Sequence, residues 1–271
     1  MYAGTTLRRR SGKIVGVHQK IDRIARKSLN KYLPDSISFP GISEILRFEG
    51  KNGPDAIRYM NPVVDKPWHF IDPIKPEDKM LLKIIENHTV NLADAIKVND
   101  KVRASFEAAW LAHAVVDGLT PAHHYPLHDK IEELWGKPRH EITGGKTKNI
   151  IHGVNRRDTI SKNWEYWGAK GVMTAHLMFE MGVASAISAD NFKHSGPNID
   201  DIKALKMNGF EAEFIKSLNL INDMKMYDKF GKTGWTRHLA SQTKKILIPE
   251  IIKVVALAWC QAIIIAEDVP I

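Results

Sequence analysis

Two pairs of side chains, each spaced four residues apart, carry the clearest chemistry in this chain. His113 and Asp117 lie in one run of small and apolar residues, and His176 and Glu180 lie in another. Residues four apart share one face of an α-helix, so each pair can direct an imidazole and a carboxylate at one point. These groups suit Zn²⁺ and related divalent cations, and a buried carboxylate without a partner is costly. Either pair alone is also compatible with an ordinary hydrogen-bonded contact in a helical core.

The segment after Asp117 can add a third side chain to the first pair. Gly118 and Pro121 end the helix and turn the chain, which allows His123 to fold back beside His113 and Asp117. Two helices that face each other across a bundle can build a metal site from inward-pointing histidines and carboxylates. The spacing therefore favours a metal centre between helices.

The composition is that of a folded domain and limits the ligands that a metal could have. The chain has 271 residues, of which 44% are hydrophobic and 26% are charged. These proportions exclude disordered, collagen-like and coiled-coil chains. The single cysteine, Cys260, excludes a disulfide within the chain and a cysteine-based zinc site. Twelve histidines are present, so metal chemistry must use imidazoles and carboxylates.

Helical periodicity dominates the chain and predicts an all-α fold. Predicted helices cover residues 16–33, 76–98, 101–119, 167–187, 208–224 and 249–266. Prolines predict a long irregular loop over 34–75 that packs on the helical bundle, and a second loop covers 137–155. We expect a single helical domain over residues 13–271, preceded by a flexible basic arm over residues 1–12.

No membrane-crossing segment and no secretory signal are predicted. The basic N-terminus lacks the apolar stretch of a signal peptide, and charged residues interrupt the apolar segment over 246–266, which we interpret as a core helix. We therefore expect a cytoplasmic protein, peripheral at a membrane. The net charge of +8 suits a phospholipid surface or nucleic acid as partner, and it suits an ordinary basic surface equally well.

The central motif resembles that of a known superfamily. The run His113-x3-Asp117-x5-His123 is similar to the motif of the zinc-dependent phospholipase C and S1/P1 nuclease superfamily. His176 and Glu180 resemble the late His-x3-carboxylate pair of that superfamily. A glutamate at the second position is similar to the phospholipases, whereas the nucleases tend to use aspartate.

Weaker similarities lie upstream of the central motif. The segment Trp68–Pro73 resembles the His-Phe-Tyr-Asp-Pro segment of the phospholipases, with His69 at its histidine. Asp55 lies fourteen residues before His69 and matches the early aspartate ligand. His18 resembles the early histidine of the superfamily.

The resemblance implies a helical bundle of the phospholipase C/P1 nuclease type that holds two or three zinc ions. It implies one ion on Asp55, His69, His113 and Asp117, a second on His18 and the shared Asp117, and a third on His123, His176 and Glu180. Closely spaced zinc ions can produce a metal-bound hydroxide that attacks a phosphodiester. We assign catalytic roles to Asp117, which bridges two ions, and to Asp55. The sequence leaves open whether Asp55 binds metal alone or also acts as a general base.

Two departures from the superfamily are visible. Its members offer the amine and carbonyl of an N-terminal tryptophan to one zinc ion, but here the first tryptophan is Trp68, which leaves the ion at His18 short of ligands. The gap from His123 to His176 is longer than expected, and His140 and His152 fall within it. Neither has a carboxylate four residues later, so His176 is preferred.

The function predicted is hydrolysis of phospholipid headgroup phosphodiesters by a zinc-dependent, phospholipase C-type enzyme. An S1/P1-like nuclease acting on single-stranded nucleic acid is the nearest alternative, because the positive charge suits both substrates. A non-catalytic helical scaffold that retains part of a metal site is the alternative from a different class, and the missing N-terminal tryptophan favours it.

Overall fold

A computed structural model describes residues 1, 16–55, 70–75, 77–124, 127–137 and 150–267. Among these residues the chain is all-helical and contains no β-strand. The α-helices are α1 (Val17–Leu29), α2 (Ile42–Ile45), α3 (Met80–Lys97), α4 (Lys101–Gly118), α5 (Leu127–Trp135), α6 (Arg156–Trp167), α7 (Val172–Ile187), α8 (Ile199–Asp223), α9 (Met226–Thr233), α10 (Arg237–Gln242) and α11 (Ile248–Ala266). Short 3₁₀ turns cover Leu46–Phe48, Gly50–Asn52 and Pro121–His123, and a π turn covers Thr243–Leu247.

Helix α11 is the centre of the bundle. Its residues from Val254 to Ala258 are buried, and it packs against α1, α3, α4 and α8. The helical stretch Arg237–Ala266 is long and apolar enough to cross a membrane, but 67% of its most apolar window is buried inside the bundle. That burial is typical of a core helix, as the sequence analysis interpreted the segment.

Helix α4 is the main support of the candidate site because its second half is buried on every side. Small residues at Ala108, Ala109 and Ala112 let the neighbouring helices approach closely. Gly118 ends the helix at a similarly close contact, where an added Cβ would lie 2.6 Å from Leu81 and 2.9 Å from Phe214. The packing leaves polar side chains on the inner face of α4 enclosed by protein.

Helix α7 brings the second pair of polar side chains to the same region. Its buried face contains Phe179 and Val183 in addition to the polar pair. The indole of Trp235 packs against Gly182 and donates a hydrogen bond to the carbonyl of Met178 at 3.1 Å. Trp235 therefore holds α7 in place along the side that carries Gly182.

Each predicted helix coincides with a helix of the structure, but several bounds differ and several helices were not predicted. Helix α1 ends at Leu29 rather than continuing to residue 33, and the proline-rich segment contains α2 and two 3₁₀ turns. Helix α6 was not predicted from the sequence; none of its residues is buried, and its apolar side chains face solvent. The helix predicted over 208–224 begins earlier, at Ile199, because α8 is two helices joined at Gly209 (φ 78°).

The predicted flexible arm over residues 1–12 is described only at its first residue. Met1 is 2% exposed and lies inside the bundle, so it does not belong to a free arm. The other residues of that predicted arm lie outside the described part of the chain.

Candidate metal centre

The first cluster of candidate ligands joins α1 to α4. His18 lies in the first turn of α1, and His113 and Asp117 lie one turn apart on α4; all three side chains are buried. The imidazoles of His18 and His113 stack with their centroids 4.2 Å apart. Nε2 of His18 lies 3.3 Å from Oδ1 of Asp117, and Nε2 of His113 lies 3.2 Å from Oδ2. One ligand atom from each residue falls within 4.8 Å of the others.

The second cluster joins the turn after α4 to α7. His123 lies in the 3₁₀ turn Pro121–His123, and His176 and Glu180 lie one turn apart on α7. The two imidazoles stack at 5.0 Å, and Nε2 of each lies 3.1 Å from Oε1 of Glu180. All three are buried, and their ligand atoms also lie within 4.8 Å of one another.

Asp117 and Met1 connect the two clusters. Oδ1 of Asp117 lies 3.7 Å from Nδ1 of His123. The α-ammonium group of Met1 donates to the same Oδ1 at 2.6 Å and lies 3.4 Å from Oε1 of Glu180. The carbonyl of Met1 accepts a hydrogen bond from Nε2 of His18 at 2.9 Å. Met1 thus presents its amine and its carbonyl where the two clusters meet.

The electrostatic environment of the centre keeps its carboxylates ionised and its amine protonated. Burial raises the pKa of Asp117, but the Met1 ammonium and the nearby histidines outweigh it and hold that pKa well below its usual range. Burial likewise raises the pKa of Glu180, and the Met1 ammonium and His176 reverse the effect. Burial lowers the pKa of the Met1 amine, yet Asp117 and Glu180 raise it to about 10. Both carboxylates are therefore ionised and compensated by positive charge.

Glu49 lies on the far side of His113 from Asp117. Its Oε1 is 3.2 Å from Nδ1 of His113, and both side chains are buried. Burial lowers the pKa of His113, but the carboxylates of Asp117 and Glu49 hold it well above its ordinary value. A carboxylate that accepts the Nδ1 proton leaves Nε2 as the ligand atom, as is usual for histidines that bind metals.

Of the remaining predicted ligands, Asp55 lies at the edge of the first cluster and His69 lies outside the described residues. Oδ1 of Asp55 lies 3.7 Å from Nε2 of His113, and the Asp55 side chain is 31% exposed. Asp55 is therefore at the edge of the first cluster, facing solvent. His69 lies outside the described residues, as does His140. His152 is exposed and contributes to neither cluster.

The residues present fit a divalent cation. Nε2 of His113 is buried without a hydrogen bond, 3.2 Å from Oδ2 of Asp117 and 3.7 Å from Oδ1 of Asp55, and a cation bound there would satisfy the ring nitrogen and both carboxylates. Each cluster supplies two imidazoles and one carboxylate, a donor set that suits divalent transition-metal cations. The two buried clusters can therefore hold metal ions.

Sequence reasoning missed three groups at the centre. Met1 and Glu49 carried no spacing signal, because each reaches the site through tertiary packing alone. Asp22 did carry one, since it follows His18 by four residues. It is 1% exposed with no hydrogen-bond partner for its carboxylate, and burial, with Glu49 adding to it, raises its pKa well above the ordinary value.

An open groove of about 310 Å³ adjoins the turn that carries His123. Pro121 and His124 line it from that turn, and Asp72, Tyr227 and Asp228 line it from elsewhere. His124 donates from Nε2 to the carbonyl of Gly118 at 2.9 Å, and burial lowers its pKa to about 4. The groove therefore places polar groups within reach of solvent beside the second cluster.

Comparisons with known proteins found no relative of this chain. No protein-family model, no curated protein and no solved structure matches this chain. The chemistry of the centre therefore follows from its own residues and their geometry.

Proposed function

We propose that this chain is a zinc-dependent phosphodiester hydrolase of the phospholipase C type, built on a helical bundle of the phospholipase C/P1 nuclease type. The observation that carries the proposal is the pair of buried His–His–carboxylate clusters joined by Asp117. Adjacent divalent cations with a shared carboxylate are the arrangement used to hydrolyse phosphodiesters.

Three zinc ions would be held by groups that already converge. The first ion would be held by Asp55, His113 and Asp117, together with His69, which the resemblance adds. The second would be held by His18, Asp117 and the amine and carbonyl of Met1. The third would be held by His123, His176 and Glu180. Zinc ions bound there would lower the pKa of water toward about 7 and would draw charge from phosphoryl oxygens.

The protein's own groups position the reaction. Glu49 holds the ring of His113 in one tautomer, and the stacked rings of His18 and His113 fix each other's planes. Asp55 is the one partly exposed carboxylate among the ligand groups described, which makes it the residue able to accept a proton from water at the mouth of the site. Burial of the other carboxylates keeps bulk water from screening their charge.

The charge of the groove beside His123 favours a phospholipid headgroup over a nucleic acid strand as the substrate. Two carboxylates, Asp72 and Asp228, line it against one lysine, Lys225, and His124 is neutral at pH 7. A groove that combines both charges with a tyrosine suits a zwitterionic group. A polyanionic strand would find no excess of positive charge there, because Lys75 and Lys225 only balance the two carboxylates.

The test is hydrolysis by the zinc-loaded full chain of phosphatidylcholine in mixed micelles and, separately, of single-stranded DNA. We expect diacylglycerol release, and a loss of at least about 100-fold in Asp117→Asn, because loss of even a group that supports a ligand costs 10–100-fold. Asp200→Asn, at a carboxylate that is 80% exposed, is the matched control and should retain full activity.

The other outcomes separate the alternatives. Hydrolysis of DNA alone would establish the S1/P1-like nuclease. Absence of both activities in a chain that binds zinc and remains helical by circular dichroism would establish the non-catalytic scaffold. Normal activity in Asp117→Asn would show that the two clusters are not the active site.

A further inference from the structure

Helices α6 and α7 form a hairpin whose outer face is apolar. The large exposed side chains on it are Ile160, Trp164, Trp167, Leu177, Met178 and Met181, of which Trp164 is 71% exposed. The first three recur at spacings of four and three residues and so share one face of α6. Contiguous exposed apolar surface of this kind marks an interaction site.

The two helices present this surface as one piece. Only residues 168–171 separate them, and the hydroxyl of Thr174 donates to the carbonyl of Trp167 at 2.9 Å. The ring of Trp164 packs over Gly168, where an added Cβ would lie 3.0 Å from it. The tryptophans therefore lie at the start of α7, one turn before Leu177 and Met178.

The apolar surface adjoins the candidate metal centre. Leu177 follows His176 and Met181 follows Glu180 along α7. The helix thus directs two ligand groups inward and two apolar side chains outward. A group held on the outer face of this hairpin is therefore separated from the second cluster by the thickness of one helix.

The charge around the patch is positive. Asp158 pairs with Lys162 at 3.4 Å, and Glu165 pairs with Lys130 at 3.0 Å. Arg156, Arg157 and Lys170 are exposed and have no carboxylate partner within the described ranges. Tryptophan beside uncompensated cations is the composition of surfaces that lie in the interface of an anionic bilayer.

We propose that the outer face of the α6–α7 hairpin docks the chain onto anionic phospholipid bilayers. This inference deepens the proposed function, and it rests on that function for the choice of a lipid surface over another partner. Trp164 and Ile160 enter the interface, the arginines contact lipid phosphates, and α7 lies level with the headgroups.

The test is co-sedimentation of the zinc-loaded full chain with vesicles of phosphatidylcholine alone and with vesicles containing about 30% phosphatidylglycerol. We expect at least about tenfold tighter binding to the anionic vesicles. The double variant Ile160→Ser/Trp164→Ser should weaken that binding at least about tenfold. Met207→Ser, at a methionine that is 82% exposed on α8, is the matched control and should bind normally.

Other readouts separate this proposal from the proposed activity. The double variant should retain wild-type melting and wild-type hydrolysis of a monomeric short-chain phosphatidylcholine, because it leaves the metal centre intact. Binding without any hydrolysis in the wild type would leave the docking surface standing and contradict the activity. Vesicle binding that the double variant leaves unchanged, or a dimer in sedimentation velocity that it dissociates, would overturn the docking surface.

Discussion

The Nδ1 atom of His113 lies 3.2 Å from Oε1 of Glu49, with both side chains enclosed by protein. A carboxylate in this position accepts the Nδ1 proton and directs Nε2 of the ring to the opposite side, where Asp117 and Asp55 lie. Such a support fixes both the tautomer and the ring plane of a metal-binding histidine.

Replacing Glu49 by glutamine should therefore weaken metal binding at the first cluster by about 10- to 100-fold. The amide can still accept the hydrogen bond but removes the negative charge that holds the pKa of His113 well above its ordinary value. Zinc titration in competition with a chromophoric chelator measures the effect. Glu86→Gln, at an exposed residue of α3, is the control. Equal zinc affinities for the two variants would contradict a positioning role for Glu49.

The two i, i+4 pairs could be found from the sequence because a local rule governs them. The apolar surroundings of His113–Asp117 and His176–Glu180 predict helices, and a helix of known pitch places each pair on one face. The core helix α11 could also be predicted from a local pattern, because its run of apolar residues is longer than that of a surface helix.

The meeting of the two pairs could not be derived from that rule. His123 reaches Glu180 across 57 residues, and Met1 reaches Asp117 across 116 residues. These contacts depend on how α4, the turn Pro121–His123 and α7 pack against their neighbours, which is decided by the shapes of side chains far apart in the sequence. Glu49 lies in an irregular segment with no periodicity, so its approach to His113 is a product of the tertiary fold alone.

Gly118→Ala should destabilise the fold by about 1–3 kcal/mol, the usual cost of overpacking a core. The added methyl group would meet Leu81 at 2.6 Å and Phe214 at 2.9 Å. Gly231→Ala is the matched control, because a Cβ there meets nothing within 4 Å and alanine is favoured over glycine in a helix by about 0.5–1 kcal/mol. Urea denaturation should therefore show opposite signs for the two variants. A stabilised Gly118→Ala chain would show that α3 and α8 do not pack as described.

The thiol of Cys260 should be inert in the native chain. It is 5% exposed, and burial raises its pKa to about 12, so it stays protonated at pH 8 while the reactive form is the thiolate. Labelling with a disulfide reagent should be no faster than unfolding and should become immediate in denaturant. Ser161→Cys, which adds a thiol at an exposed position of α6, supplies the fast-reacting comparison. Rapid modification of the native wild-type chain would contradict the burial of α11.

The α-amine of Met1 gives metal binding a defined pH dependence. Asp117 and Glu180 outweigh burial and raise its pKa from 8.0 to about 10, so the amine is an ammonium ion at pH 7. A metal ion that it ligates must displace that proton. Zinc affinity should therefore rise as the pH increases from 7 toward 10, by up to about tenfold per unit from this group. Calorimetry at pH 7.5 in two buffers of different ionisation enthalpy counts the protons released.

A chain extended by Gly-Ser before Met1 is the control, because its Met1 nitrogen is an uncharged amide that does not ionise between pH 7 and 10. It should bind zinc more weakly and release one proton fewer. Without metal, a pKa raised from 8.0 to about 10 contributes about 3 kcal/mol of stability. That contribution is complete below pH 8 and is lost as the pH rises through about 10, so only the unextended chain should show the loss from this group. Identical proton counts for the two chains would show that the amine is not a ligand.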